Sequence, residues 1–369
     1  MATIGSLRLL KDLFSNRAEP DLLALSRIRE SDAFLWAILP HAARTFAKSI
    51  HLLPRPLRKP CAVAYLYARM LDTYEDHVRD PAAREHALAA FADRIGSLSA
   101  GCSLPVPSLK EAHDADPRDQ VHRLLLERCA LVDQEFAVLP PTARGLIREL
   151  IEAMALGMQT ASRWFASQGG ALLTAEQLDL YCRAVLGEPA VFMVRLLAWL
   201  RRGDAHIDES LRQTCLQSGV MIQLANVTRD IEKDLARGVA YHPDLASDLA
   251  RDATSEPTDS SRTERIRRVR AALTRRALAL SPHLQDLLLH LAPSGWRRER
   301  SSLVLLFLHT DRHFLKMAHR CGIETWGPVK SPLRLLMESV PTTLSYERAE
   351  RILSRTVALH RRTLKGSHG

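Results

Sequence analysis

The stretch Tyr65-Leu66-Tyr67-Ala68-Arg69-Met70-Leu71-Asp72-Thr73-Tyr74-Glu75-Asp76 decides how this chain is read. It contains no Gly or Pro, and its apolar residues recur at helical spacing, so it reads as helix. Asp72 and Asp76 lie four residues apart and project from one face, one turn above the other. Tyr65 and Arg69 continue that face upstream. Two carboxylates so placed repel unless a cation sits between them, and an oxygen-only pair suits a hard ion such as Mg²⁺. Taken alone, the turn is equally well a solvated acidic face, which helices commonly carry.

A second stretch shifts the balance toward a site. Gln223-Leu224-Ala225-Asn226-Val227-Thr228-Arg229-Asp230-Ile231-Glu232-Lys233-Asp234 sets Asn226, Asp230 and Asp234 on one helical face, again four apart. Two such helices predict one shared metal cluster of two or three Mg²⁺ ions. Arg44 and Lys48, one turn apart, join Arg69 and Arg229 as cationic donors, the arginines suited to bidentate contact with phosphate. Metals and cations of this kind would hold a diphosphate and draw it off an allylic carbon. Apolar helix faces would shield the carbocation left behind. In Tyr181-Cys182-Arg183-Ala184-Val185-Leu186-Gly187-Glu188-Pro189, a Gly and a Pro inside a helical pattern predict a kink or unwound turn. Tyr181 beside that break is placed to stabilise a cation through its ring or to relay a proton.

Outward from these stretches the chain is helical. Its 369 residues are 46% hydrophobic, rich in Leu, Ala, Arg and Glu, with few β-branched residues in the periodic segments. The first helix begins near Ser31-Asp32 and ends before Pro40; Pro54, Pro56 and Pro60 then break the chain before the acidic helix, which runs to about Val78. Pro81 opens a helix to about Ile95. Others are expected near 118–138, 141–168, 174–201, 208–237, 262–292, 296–320 and 345–363, with polar loops at 96–118 and 243–261. Strand-like alternation does not persist, and no repeat of 20–50 residues stands out. The reading is all-α: a lead-in over 1–30, then a single domain over 31–365.

Net charge is +9, from 51 Lys and Arg against 42 Asp and Glu. Much of the excess lies in the run Arg262, Arg265, Arg267, Arg268, Arg270, Arg275 and Arg276, which reads as the polar face of an amphipathic helix. A solvated face is the first reading and a membrane-surface contact the second; nucleic acid is not expected as a partner. The six cysteines (61, 102, 129, 182, 215 and 321) are scattered without a C-x-x-C pair, as for reduced thiols of a cytoplasmic protein. No signal peptide and no apolar run of about 18 residues is present, so membrane contact is expected to be peripheral.

These residues resemble the squalene/phytoene synthase family. Asp72-Thr73-Tyr74-Glu75-Asp76 is similar to its first acidic motif and Asn226 to Asp234 to its second, N-x-x-R-D-x-x-x-D, with Gln223 at the family's Gln. Ala43-Arg44-Thr45-Phe46 resembles the S-[RK]-[ST]-F motif, Tyr181 to Gly187 the Y-C-x-x-V-A-G segment, and Leu305 to Leu335 the last helix and tail. Order and spacing agree over about 40–335, and the first motif looks nearer the squalene branch. The resemblance implies an isoprenoid-synthase fold in which two acidic helices face a central cavity. It implies head-to-head joining of two prenyl diphosphates, farnesyl diphosphate in the squalene branch, through a cyclopropyl diphosphate, with NADPH as reductant where the product is squalene. Carried over, Asp72, Glu75, Asp76, Asn226, Asp230 and Asp234 would bind Mg²⁺. Arg44, Thr45, Phe46, Lys48, Tyr65, Arg69, Gln223 and Arg229 would hold substrate, with Tyr181, Arg229, Asp72 and Asp230 acting in catalysis. Ala43, Leu186, Ala190, Lys233, Val239 and His309 depart from the family's usual residues.

Two other functions compete. Leu186 and Ala190, bulkier than usual, and Lys233 beside the cluster would suit a lyase that ionises one prenyl diphosphate and cyclises or quenches the cation. A non-enzymatic basic protein would instead tolerate Asp72→Ala and Asp230→Ala but fail on charge reversal at Arg267 and Arg268.

Overall fold

The computed structural model describes residues 20–43, 45–99, 101–102, 104–109, 117–249, 260–291 and 297–366. Among these the regular structure is helical, apart from one isolated parallel bridge between Ala171 and Ala240. They form two compact units, one drawn from 1–159 and 195–206, the other from 160–194 and 207–369.

In the first unit, helix Arg55–His77 packs on Ser31–Ala43, Pro81–Ser99, Pro117–Glu127 and Cys129–Ala137. Its spacing explains its orientation. Leu66, Met70 and Tyr74 recur every four residues and are fully buried with Phe34, Ile38 and Phe91. That turns Tyr65, Arg69, Asp72 and Asp76 away from the core. The two other tyrosines of the stretch are anchors: Tyr67 Oη donates to Asp133 Oδ1 at 2.8 Å, and Tyr74 Oη to the Pro107 carbonyl at 2.7 Å. Arg94, nearly fully buried, also clamps Asp133, so the burial of these polar groups is compensated.

Prolines end fewer helices than expected. Pro54 is the N-cap of Arg55–His77 and Pro56 sits in its first turn, where the missing N–H has no helical partner. Pro60 and Pro40 lie inside their helices, both buried, so apolar contact offsets the lost hydrogen bond. Conversely, the helix expected over 118–138 breaks at Arg128, whose guanidinium caps the carbonyls of Ser26 and Ile28. The 262–292 segment likewise divides into Ser260–Ala279 and Ser281–Leu291. The loop expected from 96 starts later, since Pro81–Ser99 runs on. Within the lead-in, Leu22–Arg27 is a helix capped by Asp21; 1–19 lie outside the described residues.

The second unit is built on helix Glu209–Ala236, against which Ser260–Ala279, Ser281–Leu291 and Arg297–Cys321 pack. The predicted break after Tyr181 is a π-helical turn, Arg183–Gly187, between helices Ala175–Cys182 and Glu188–Arg202. π turns are rare and concentrate at functional sites. This one lies directly against Glu209–Ala236, glycine on glycine, at Gly187 and Gly219.

The arginine-rich helix Ser260–Ala279 is a solvated face only in part: Arg262, Arg267, Arg268 and Arg275 are exposed, Arg265 and Arg276 half-buried and Arg270 buried. Arg265 forks onto the buried Asp248, Arg270 reaches the Thr228 carbonyl and Glu232, and Arg276 pairs with Asp179. Arg267 pairs with Glu264 and donates to the Cys321 carbonyl, and Arg268 lies 3.6 Å from Asp244. Carboxylates of the chain thus engage five of the seven arginines that sequence reads first as a solvated face. No described helix is long and apolar enough to cross a membrane. All six cysteines are free thiols and only Cys102 is exposed; burial pushes Cys61 and Cys215 up to about 12, where thiolate chemistry is suppressed.

Candidate active site

The outward face of Arg55–His77 carries a connected set. Arg69 donates from Nη2 to Tyr65 Oη at 3.0 Å and pairs through Nη1 with Asp72 Oδ2 at 3.1 Å. Its guanidinium also lies over the Tyr65 ring, 5.8 Å from the centroid. Phe46 tilts against the same ring at 5.6 Å. The anchored core face leaves this row little rotational freedom, and the Thr73 hydroxyl donates to the Arg69 carbonyl at 2.7 Å. Desolvation raises the Asp72 carboxyl to about 6; the Arg69 charge opposes this and the Asp76 charge adds to it. Asp76 is exposed and Glu75 half-buried. Lys48 is buried on helix Thr45–Leu52. Arg44 and the Thr45 side chain lie outside the described residues.

In the second unit, Asp208 caps Glu209–Ala236 by accepting from the Leu211 amide. Along the helix, Leu224, Val227 and Ile231 are buried, which carries Asn226, Arg229, Asp230 and Asp234 to the accessible side. Arg229 grips Asp230 through two hydrogen bonds, 2.8 Å from Nε and 2.5 Å from Nη2. Asn226 Nδ2 donates to Gln223 Oε1 at 2.9 Å, which leaves the Asn226 amide oxygen as its acceptor for a cation. Each acidic helix therefore has an arginine already resting on an aspartate. Lys233, one of the sequence departures, is exposed.

Tyr181 is buried, and Tyr241 Oη donates to its hydroxyl at 3.2 Å with ring centroids 5.1 Å apart. Phe165 closes edge-on against Tyr241 at 5.5 Å. Tyr241 also lines a recess with Val227, Ile231, Asp234, Val239 and Leu245, of about 10 Å³, room for roughly one water. Sequence reading missed Tyr241, because it follows the second motif after Gly238 in a segment with no helical period to mark a face.

His313 was missed as well. Its Nε2 lies 3.2 Å from Thr228 Oγ1, on the buried side of the second-motif helix. Desolvation, reinforced by the Arg229 charge, lowers His313 from 6.5 to about 3. A depressed histidine stabilises the fold above its ordinary pKa, and that contribution is lost as pH falls from about 6.5 towards 3, because the unfolded chain takes up a proton the folded chain refuses. In a pH titration followed by far-UV circular dichroism, His313→Gln is expected to unfold at a lower pH than the parent, by roughly half a unit or more. An unchanged midpoint would show that His313 is not a buried neutral group.

Among the described residues, no three His, Cys, Asp or Glu side chains form a self-contained metal site. Mg²⁺ does not require one: it keeps several waters and takes one or two carboxylates plus substrate phosphates. The donors on both helices are oxygen-only, and Asp72, costly to ionise without a countercharge, fits such a role.

A family model described as Squalene/phytoene synthase matches residues 39–312. Squalene synthase of Cyberlindnera jadinii is 28% identical over 220 residues, 56% of this chain and 44% of that protein. Squalene synthase of Saccharomyces cerevisiae is 27% identical over 206 residues, with the same two coverages. Lycopaoctaene synthase of Botryococcus braunii is 27% identical over 209 residues, 55% of this chain and 41% of that protein. The chain thus spans less than half the length of these relatives. Among solved structures, TcSQS in complex with the ligand BPH1237 superposes with a TM-score of 0.64 at 19% identity, covering 91% of this chain and 99% of that one, a likeness of fold.

Proposed function

We propose, for a chain that belongs to the squalene/phytoene synthase family, that it joins two prenyl diphosphates head to head. The observation that carries the reading is the family match over 39–312, which contains both acidic motifs and the Tyr181 segment. The substrate proposed is farnesyl diphosphate and the product squalene-type. NADPH would serve as reductant in the second half of the reaction; no residue of this chain is assigned to it.

In the first half, the C1–O bond of one prenyl diphosphate breaks, its electron pair leaving with the diphosphate. The double bond of the second substrate attacks the allylic cation. Loss of a proton then closes a cyclopropyl diphosphate. Asp72, Glu75 and Asp76 in the first unit and Asn226, Asp230 and Asp234 in the second are the proposed Mg²⁺ ligands. Bound Mg²⁺ supplies charge neutralisation for the departing diphosphate. Arg69 and Arg229, which pair with Asp72 and Asp230, would turn to the diphosphate where metal takes up the carboxylates. Arg44, Thr45, Lys48, Tyr65 and Gln223 would complete its binding, and Phe46 would line the chain pocket. Tyr181, whose hydroxyl accepts a hydrogen bond from Tyr241, is the proposed proton carrier.

Incubation of purified protein with farnesyl or geranylgeranyl diphosphate, with and without Mg²⁺ and NADPH, tests this reading. The expected result is a coupled hydrocarbon or cyclopropyl diphosphate that requires Mg²⁺. A prenyl alcohol or a cyclic hydrocarbon from a single substrate as sole product would replace the coupling with a lyase reaction. Asp230→Ala is expected to lower turnover about a hundredfold or more, through loss of a metal ligand; full activity in that variant would remove the second motif from the mechanism.

A further inference from the structure

Helix Pro332–Ser339 and the 3₁₀ turn Val340–Thr343 present two faces. Leu335, Ser339 and Thr342 are buried on the side packed against Arg297–Cys321. On the other side Leu333 is 57% exposed, Met337 67%, Val340 45% and Leu344 78%. Leu333 and Met337 lie one turn apart on the helix, and Val340 and Leu344 follow at the start of the 3₁₀ turn and just past its end, so exposed apolar side chains run along the segment. Single exposed apolar residues need no explanation, whereas a contiguous ridge marks a contact surface.

The ridge runs into helix Tyr346–Gly366. There Ala349, Leu353, Val357 and His360 face inward and are buried. Arg348, Arg351, Arg355 and Arg362, at spacings of three, four and seven, form one exposed stripe on the opposite face. Residues 330–365 hold eight Lys and Arg against three Glu, so +5 of the chain's net +9 lies in this short region. This stripe follows the exposed apolar side chains directly in the chain, Arg348 coming four residues after Leu344.

We propose that the exposed apolar residues of Leu333–Leu344 and the arginine stripe that follows them in the chain dock it on an anionic lipid surface. An anionic bilayer offers both an apolar layer for the ridge and negative headgroups for the stripe. A second copy of this chain would bring the same positive stripe against itself. A nucleic acid backbone would leave the ridge in water.

The test is co-sedimentation of the full chain with vesicles of phosphatidylcholine alone or mixed with phosphatidylglycerol. The parent protein is expected to favour the mixed vesicles by about tenfold, less so at high salt. The ridge variant Leu333→Ser/Met337→Ser/Leu344→Ser and the stripe variant Arg351→Glu/Arg355→Glu are each expected to lose about tenfold in binding. Both alter exposed side chains, and an unchanged far-UV circular dichroism spectrum confirms folding. Three results would overturn the proposal: no binding of the parent to mixed vesicles, binding that survives the ridge variant, or a dimer that the ridge variant dissociates while vesicles stay unbound.

Discussion

Asp72→Asn is expected to lower turnover about a thousandfold and, at neutral pH, to make the folded chain more stable. The loss follows from the proposed metal role: several kcal/mol of charge stabilisation at the departing diphosphate, at about 1.4 kcal/mol per tenfold. The gain follows from burial. The folded pKa of Asp72, about 6, lies above its ordinary 3.8, so its contribution to stability is fullest below about 3.8 and is lost as pH rises through about 6. At neutral pH the ionised carboxylate is held against its desolvation, which a neutral Asn does not suffer. The whole displacement corresponds to at most about 3 kcal/mol, and the side chain is 26% exposed, so roughly 1–2 kcal/mol is expected. Thermal melts at pH 7 and pH 4 separate the effects: the variant should melt higher than the parent at pH 7, with a smaller difference at pH 4. An Asn variant within a few-fold of parent activity would remove Asp72 from the metal set, and equal melting temperatures at pH 7 would contradict its burial cost.

Gly219→Ala is expected to be the most destabilising single-methyl change in the second unit. A Cβ there would sit 2.3 Å from the Gly187 Cα and N and 2.4 Å from the Leu186 carbonyl carbon. These are backbone atoms of the π turn, which cannot swing aside as a side chain can. The cost is about 3 kcal/mol, a fall in melting temperature on the order of 6–12 °C. Activity should fall with it, because parting the π turn from Glu209–Ala236 shifts Tyr181 relative to Asn226 and Asp230. Gly145→Ala serves as the contrast: it lies in helix Pro141–Ser167 with nothing within 4 Å of the added Cβ, so a gain of about 0.5–1 kcal/mol is expected. Similar melting temperatures for the two variants would mean that the glycine contact is not a tight one.

Much of the site could be read before any fold was known, because helical period is a local property. Four-residue spacing places Asp72 with Asp76, and Asn226 with Asp230 and Asp234, wherever those helices lie. Gly and Pro near Tyr181 announced a break. The same local logic misjudged Pro40 and Pro60, where burial outweighs a missing hydrogen bond, and overlooked Pro332–Ser339, whose eight residues are too few for a clear period.

From sequence alone came the all-α class, the acidic faces, the kink and the family resemblance: each depends on residue type and on neighbours within a turn or two. Tertiary structure decided which charges are already spent. The arginine run of Ser260–Ala279 reads as an outward face, yet Asp248, Glu232 and Asp179 bind it from other parts of the chain. Tyr241 beside Tyr181, His313 behind Thr228 and Gly219 beneath Gly187 are contacts between residues 32 to 85 positions apart. Such contacts leave no periodic trace, because chain folding rather than helix geometry brings the partners together.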